Sequence, residues 1–238
     1  MKRWFALVCL MALAACDTSG PEIETPSRAP AAPLVAPAPS PRGVAPKVIS
    51  GFQRVQPANS GPVGPVCGDP RLIGVKIPAI QNPRDGCGVA EPVSLISVAG
   101  VAMAGKVELN CAAASALADW METAAKPAAV SILRARLISM RPAASYVCRG
   151  RNGRSGARLS EHAKGNAVDL SEFILSDGRV LDVESGWKAG AGVQKYMHSV
   201  WKAACGPFGT VLGPNSDRHH RDHFHFDTAK HRSGAYCR

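Results

Sequence analysis

Two short stretches carry side chains able to hold a metal. R-D-H-F-H-F-D, residues 221–227, sets His223 and His225 one residue apart in a chain with only seven histidines. In an extended strand side chains alternate with period two, so both imidazoles point one way and Phe224 and Phe226 the other. L-S-E-H-A-K-G-N-A-V-D-L, residues 159–170, reads Ser160-x-His162-x-x-Gly165-x-Ala167-x-Asp169. Small residues let backbone come close to another group, and an imidazole beside a carboxylate is a borderline donor set suited to zinc. An amphipathic strand would account for the first stretch alone. Together the two supply His162, Asp169 and His225, three N/O ligands that leave a fourth position for water, as catalytic zinc sites do.

The elements that must position these groups are readable in part. Asn110 is suited to cap a helix from about Cys111 through Leu117, Trp120, Met121 and Ala124, apolar at i, i+3, i+4 and i+7, with Pro127 disturbing its end. Residues 133–140 and 145–148 read as strands, and 173–183 as a hairpin turning at Asp177-Gly178. A second amphipathic helix spans about 192–205, with His198 at its surface or core edge, and stops before Gly206-Pro207. Short strands follow at 209–212 and 222–227. The expected fold is α+β: a small antiparallel sheet with flanking helices.

The N-terminus has a different character. Lys2-Arg3, a short apolar run and Leu13-Ala14-Ala15-Cys16 describe a secretory signal over residues 1–15, too short to span a bilayer. The order Leu-small-small-Cys resembles a bacterial lipobox, which makes Cys16 a lipid anchor. Residues 16–66 hold more than half of the 19 prolines, mixed with Ala, Ser and Gly. Such chain buries no core and reads as a disordered tether, leaving 67–238 as the domain. Six further cysteines, Cys67, Cys87, Cys111, Cys148, Cys205 and Cys237, suit three disulfides in an oxidising compartment. Pairing neighbouring segments gives Cys67 with Cys87, Cys111 with Cys148, and Cys205 with Cys237. A zinc-thiolate cluster is disfavoured because no C-x-x-C pair occurs.

The formal charge is +10, and the chain stays basic after losing Lys2 and Arg3. Beyond a membrane this balance favours anionic partners such as cell-wall polymer, acidic peptides or lipid head groups. Nucleic acid is not expected, since zinc-finger spacing, a Gly-rich phosphate loop and an aromatic-interleaved basic stripe are all missing. A serine hydrolase is not expected either, for want of a G-x-S-x-G elbow.

S-x-H-x-x-G-x-A-x-D and D-H-F-H-F resemble the two signature segments of the zinc peptidase superfamily of lysostaphin, D-Ala-D-Ala peptidases and hedgehog. More closely, C-R-G-R, L-S-E-H, G-N-A-V-D-L, F-G-T-V-L-G-P and H-R-D-H-F-H-F-D resemble the bacterial extensin-like C-terminal domain family, placed with those peptidases. The resemblance covers roughly residues 67–238. It implies a disulfide-stabilised peptidase fold of that superfamily, one zinc ion per chain held by His162, Asp169 and His225, and His223 as the catalytic partner. Dipeptide-cutting relatives place a Glu three residues before the last ligand. This chain has Asp222 and His223 there, more like the murein endopeptidase members, so Asp222 is a second candidate base. An odd spacing from His225 turns Asp222 to the other strand face unless the chain bends, which ranks it below His223. Arg149 sits where relatives often have an arginine that meets a substrate carboxylate, or else is a solvent-facing member of a basic loop with Arg151 and Arg154. Ser160 would hydrogen-bond substrate backbone or shape its turn. Asp227 would orient a ligand imidazole, and His219 and His220 read as loop histidines near the site.

The expectation is a membrane-anchored lipoprotein of the cell envelope, facing the periplasm, that uses zinc to hydrolyse amide bonds in peptidoglycan stem peptides or cross-links, as an endopeptidase. The alternative is a non-catalytic peptidoglycan-binding lipoprotein that keeps the fold and the metal.

Overall fold

A computed structural model describes residues 61–238. The signal segment, Cys16 and the tether up to residue 60 lie outside the described residues. Among the described residues no helix is long and apolar enough to cross a membrane.

The chain opens with strands. These are β1 (Gly64–Val66), β2 (Asp69–Lys76), β3 (Ile80–Gln81), β4 (Gly88–Val89), β5 (Val93–Val98), β6 (Val101–Met103) and β7 (Glu108–Leu109). Helix α1 (Cys111–Trp120) follows, and its path continues through π-helical Met121–Ala125, the single turn α2 (Lys126–Ala128) and π-helical Ala129–Leu133. Then come β8 (Leu137–Ala144), β9 (Ala167–Leu175), β10 (Val180–Asp182), α3 (Val183–Gly186), α4 (Ala191–Ala203), β11 (Thr210–Leu212), β12 (Phe224–Asp227) and β13 (Tyr236–Cys237).

The sheet is larger than the sequence suggests. Eleven strands join it in the order β1-β2-β5-β6-β8-β9-β12-β11-β13, with β10 beside β9 and β7 beside β5. It is mostly antiparallel, but β6 with β8 and β11 with β13 run parallel. The fold is α+β, as expected. The strands between residues 64 and 109 escaped the sequence reading because most are short and interrupted by Gly or Pro, which hides their alternation. Gly64–Val66 is already paired with β2, so sheet structure begins before Cys67.

Asn110 caps α1 by accepting from the Ala113 N–H at 2.9 Å. Pro127 does not end the helix. It enters the first turn of α2 between the two π-helical stretches, and the path ends only where Arg134 takes a left-handed φ of 58°. Widened turns on either side relieve the usual clash of a mid-helix proline. Because residues 129–133 are still helical, the strand expected at 133–140 begins at Leu137. No strand forms at 145–148, where Ser145 leaves the ladder to bond β7 through its hydroxyl and His162 through its carbonyl. The hairpin at Asp177-Gly178 forms, with Gly178 at φ +87°.

Apolar faces of α1 and α4 close over one side of β9 and β12. Trp120 lies edge-on to Phe173 and Phe226, Tyr196 is edge-on to Phe173, and all are fully buried. The Trp120 indole N–H donates to the Val200 carbonyl at 2.8 Å, joining the two helices. Phe224 and Phe226 both enter this core, which turns the alternate residue of β12, His225, to the opposite side of the sheet.

Three disulfides form, Cys67–Cys111, Cys87–Cys148 and Cys205–Cys237. Only the last matches the pairing by neighbouring segments. The β1–β2 turn delivers Cys67 to the start of α1, where Cys111 sits. Cys87 immediately precedes β4, whose Val89 packs near Gly165 in the turn after His162, and so it meets Cys148 instead.

Candidate metal centre

The segment 160–169 bends twice to set its two polar groups. The Ser160 hydroxyl accepts from the His162 N–H at 3.4 Å and starts a 3-10 turn over Glu161–Lys164. Gly165 ends the turn at φ +65°; a Cβ there would lie 2.8 Å from Val89 Cγ2 and 3.1 Å from Asn110 N, so any side chain would be strained and crowded. The chain then enters β9, where Ala167 and Asp169 pair in register with Asp227 and His225 of β12.

The imidazoles and the carboxylate meet at one point. His162 Nε2 is 3.1 Å from both Asp169 Oδ1 and His225 Nδ1, and His225 Nδ1 is 2.8 Å from Asp169 Oδ1. All three residues are buried. The far side of each ring fixes its tautomer. His162 Nδ1 is 2.5 Å from the Ser145 carbonyl, which can only accept, so Nδ1 carries the proton. His225 Nε2 donates to Asp227 Oδ2 at 3.0 Å, and Asp227 Oδ1 accepts from the Ala229 N–H at 2.9 Å. Two neutral imidazoles and a carboxylate oxygen therefore aim lone pairs at a common point. Three acceptors face one another there and repel unless a cation stands between them. Ligands at 2.0–2.1 Å from a tetrahedral metal are ~3.3 Å apart, close to the separations found, so the donor set fits zinc.

Without a metal, a proton does this work. Burial alone would lower the His225 imidazole, but its bonds to Asp169 and Asp227 outweigh that and raise it to about 9. Burial alone would raise Asp169, and the bonds from His162 and His225 instead hold its carboxyl far below the usual range. Asp227 is likewise lowered on balance, burial opposing and the His225 bond favouring the charged form.

His223 and Asp222 flank this trio. The His223 ring stands between two carboxylates, with Nδ1 2.8 Å from Asp222 Oδ1 and Nε2 3.7 Å from Asp169 Oδ1. His223 and His225 thus approach the same carboxylate oxygen although regular strand begins only at Phe224. Asp222 is exposed and meets the outer nitrogen of His223. Arg149 Nη2 is 3.7 Å from Asp169 Oδ2. Ser160 is buried and its hydroxyl is engaged by its own turn. His198 packs on Trp187 with ring centroids 3.9 Å apart and planes tilted by 36°, and belongs to α4's packing.

A cleft of about 450 Å³ opens beside the trio, lined among others by Arg149, Ser160, His162, Thr210, His220 and His225. Of two further contributors, the sequence reading missed one and underrated the other. Ser145 acts through its backbone carbonyl, which leaves no residue-type signature. His220, read only as a nearby loop histidine, is buried, bonds Asp217 at 2.9 Å through Nδ1, and has its ring 5.6 Å from that of His225. Its spacing from His223 and His225 was the available signal.

A family model described as "Extensin-like protein C-terminus" matches residues 72–238. No curated protein and no solved structure matches the chain.

Proposed function

Starting from a chain that belongs to the extensin-like protein C-terminus family, we propose that it is a zinc-dependent peptidoglycan peptidase, an endopeptidase acting on stem peptides or their cross-links. The observation that carries this reading is the convergence of His162 Nε2, Asp169 Oδ1 and His225 Nδ1 within 3.1 Å of one another beside an open cleft. The signature segments resemble those of the lysostaphin, D-Ala-D-Ala peptidase and hedgehog zinc peptidases, and that wider relationship is part of the proposal.

His162, Asp169 and His225 would hold the metal, with Ser145 and Asp227 orienting the two imidazoles from behind. A zinc bound there would supply polarisation of the scissile carbonyl and a lowered pKa for an attacking water. His223 is the proton carrier in this reading. Asp222 accepts the hydrogen bond from Nδ1–H, leaving Nε2, 3.7 Å from Asp169 Oδ1, to accept a proton and pass it to the leaving amine. Asp222 serves as the residue that positions His223 rather than as the base. Arg149 balances Asp169 and offers its remaining donors to a substrate carboxylate.

The same reading places the protein in the cell envelope, anchored through lipidated Cys16 and facing the periplasm, where three disulfides are stable. The decisive experiment pairs zinc content with mass spectrometry of sacculi digested by the wild type and by His225→Ala. One zinc per chain, lost in the variant together with peptide release, supports the peptidase. Zinc without release by any preparation would leave a wall-binding lipoprotein.

A further inference from the structure

Residues 146–159 contain four arginines, Arg149, Arg151, Arg154 and Arg158, and no Asp or Glu. The segment is folded back on itself. The Arg151 N–H donates to the Arg158 carbonyl at 2.9 Å and the Ser160 N–H to the Arg149 carbonyl at 3.1 Å, closing a hairpin bridged at Gly150 and Leu159. Cys148 at its base is tied to Cys87. Asn152, Gly153 and Gly156 take φ of 55°, 67° and 73°, and a Cβ on Gly150 would stand 2.6 Å from the Arg154 carbonyl oxygen. These left-handed turns and the close approach keep the guanidinium groups on one short hairpin.

Three of these arginines stand without a counter-charge among the described residues. Arg71, Arg141 and Arg179 each pair with a carboxylate. Among the described residues Arg151, Arg154 and Arg158 pair with none and are exposed. Like charges on one short hairpin repel, a cost that an arriving anion lowers. The hairpin also faces the chemistry, since Arg149 and Arg151 line the same cleft as His162 and His225.

We propose that the 149–159 hairpin is an anion-binding wall of the cleft, and that it selects peptide stems carrying free carboxylates over amidated ones. The inference rests on the reading of the cleft as a substrate groove. Guanidinium forks match carboxylates in two-bond geometry. The hairpin's place beside the candidate ligands favours an anion on the substrate over a membrane head group.

The test uses the full-length protein and the variant Arg151→Gln/Arg154→Gln/Arg158→Gln. Two synthetic stem peptides serve as probes, one with free side-chain and C-terminal carboxylates, the other its carboxamide twin. Calorimetry should show the free acid binding about tenfold tighter, as three exposed charge pairs would give. The variant should lose that preference while zinc content and the urea midpoint stay unchanged. Equal binding of the two peptides by the wild type, or a preference the variant retains, overturns the proposal. So does a loss confined to anionic lipid vesicles, which would assign the hairpin to the membrane. If the preference is present but sacculi release no peptides, the peptidase reading fails while the hairpin's role stands.

Discussion

Asp169 and His225 stand directly opposite each other on β9 and β12, with Oδ1 and Nδ1 2.8 Å apart. Their contact is set by strand register, so a small change of side chain can be tested without moving backbone. Asp169→Asn keeps the shape and removes the anionic donor. Zinc affinity, measured by competition with a chromophoric chelator, should fall by more than the ~10–100-fold expected for losing an outer partner. Near-native affinity in this variant would rule out Asp169 as a ligand.

Asp227 touches only the far nitrogen of His225, so Asp227→Asn should act more mildly. We expect zinc affinity to drop ~10–100-fold with the domain still folded. The same chelator competition reads it, and an unchanged affinity would mean that Asp227 does not orient the ring.

Acid and alkali should each destabilise the metal-free domain, through different groups. The His225 imidazole is raised from 6.5 to about 9, so its protonated form stabilises the fold fully below pH 6.5, and that contribution is lost as pH rises through about 9. The loss is of order 3 kcal/mol. Asp169 and Asp227 are lowered, so their share is present above pH 3.8 and lost as pH falls below it. Urea midpoints with and without zinc decide the matter. Zinc should abolish the alkaline loss by taking the proton's place, and an alkaline limb indifferent to zinc would contradict the trio.

Gly165→Ala should destabilise by about 2–3 kcal/mol, since it combines left-handed strain with a contact against Val89. Gly156→Ala has φ +73° but open space around its Cβ, and should cost only ~1 kcal/mol. Thermal melts should separate the two by several degrees. Equal melting points would show that the turn after His162 is not tightly packed.

Removing Cys87–Cys148 as a pair of alanines should cost ~3–4 kcal/mol and also weaken zinc binding, because it frees the segment that holds Ser145 and Arg149. Removing Cys67–Cys111, at the start of α1, should cost comparable stability without touching zinc. Similar zinc affinities in both variants would disconnect the first disulfide from the centre.

The site was more legible than the fold around it. The convergence of His162, Asp169 and His225 was readable because donor groups proposed for a metal must be particular residue types at a spacing that strand and turn geometry allow. Gly165 was readable as one of the small residues that let backbone come close to another group. The sheet was not, since strands of two or three residues such as β3, β4 and β7 are too short to show alternation and exist only through their partners. Pro127 misled for a related reason: local propensity disfavours it in a helix, and burial of Trp120, Met121 and Ala125 overrides that preference. The disulfide partners depend on which strands become neighbours, which is a property of the whole sheet.

The Cys205–Cys237 bridge spans 32 residues, and a metal joining His162 to His225 would span 63. Cys205 lies inside the larger loop and Cys237 outside it, so the two closures interlock. The last third of the chain would then be held by one knot that a reductant opens and another that a chelator opens. Either alone would leave the other in place, and complete release of this region would require both reagents.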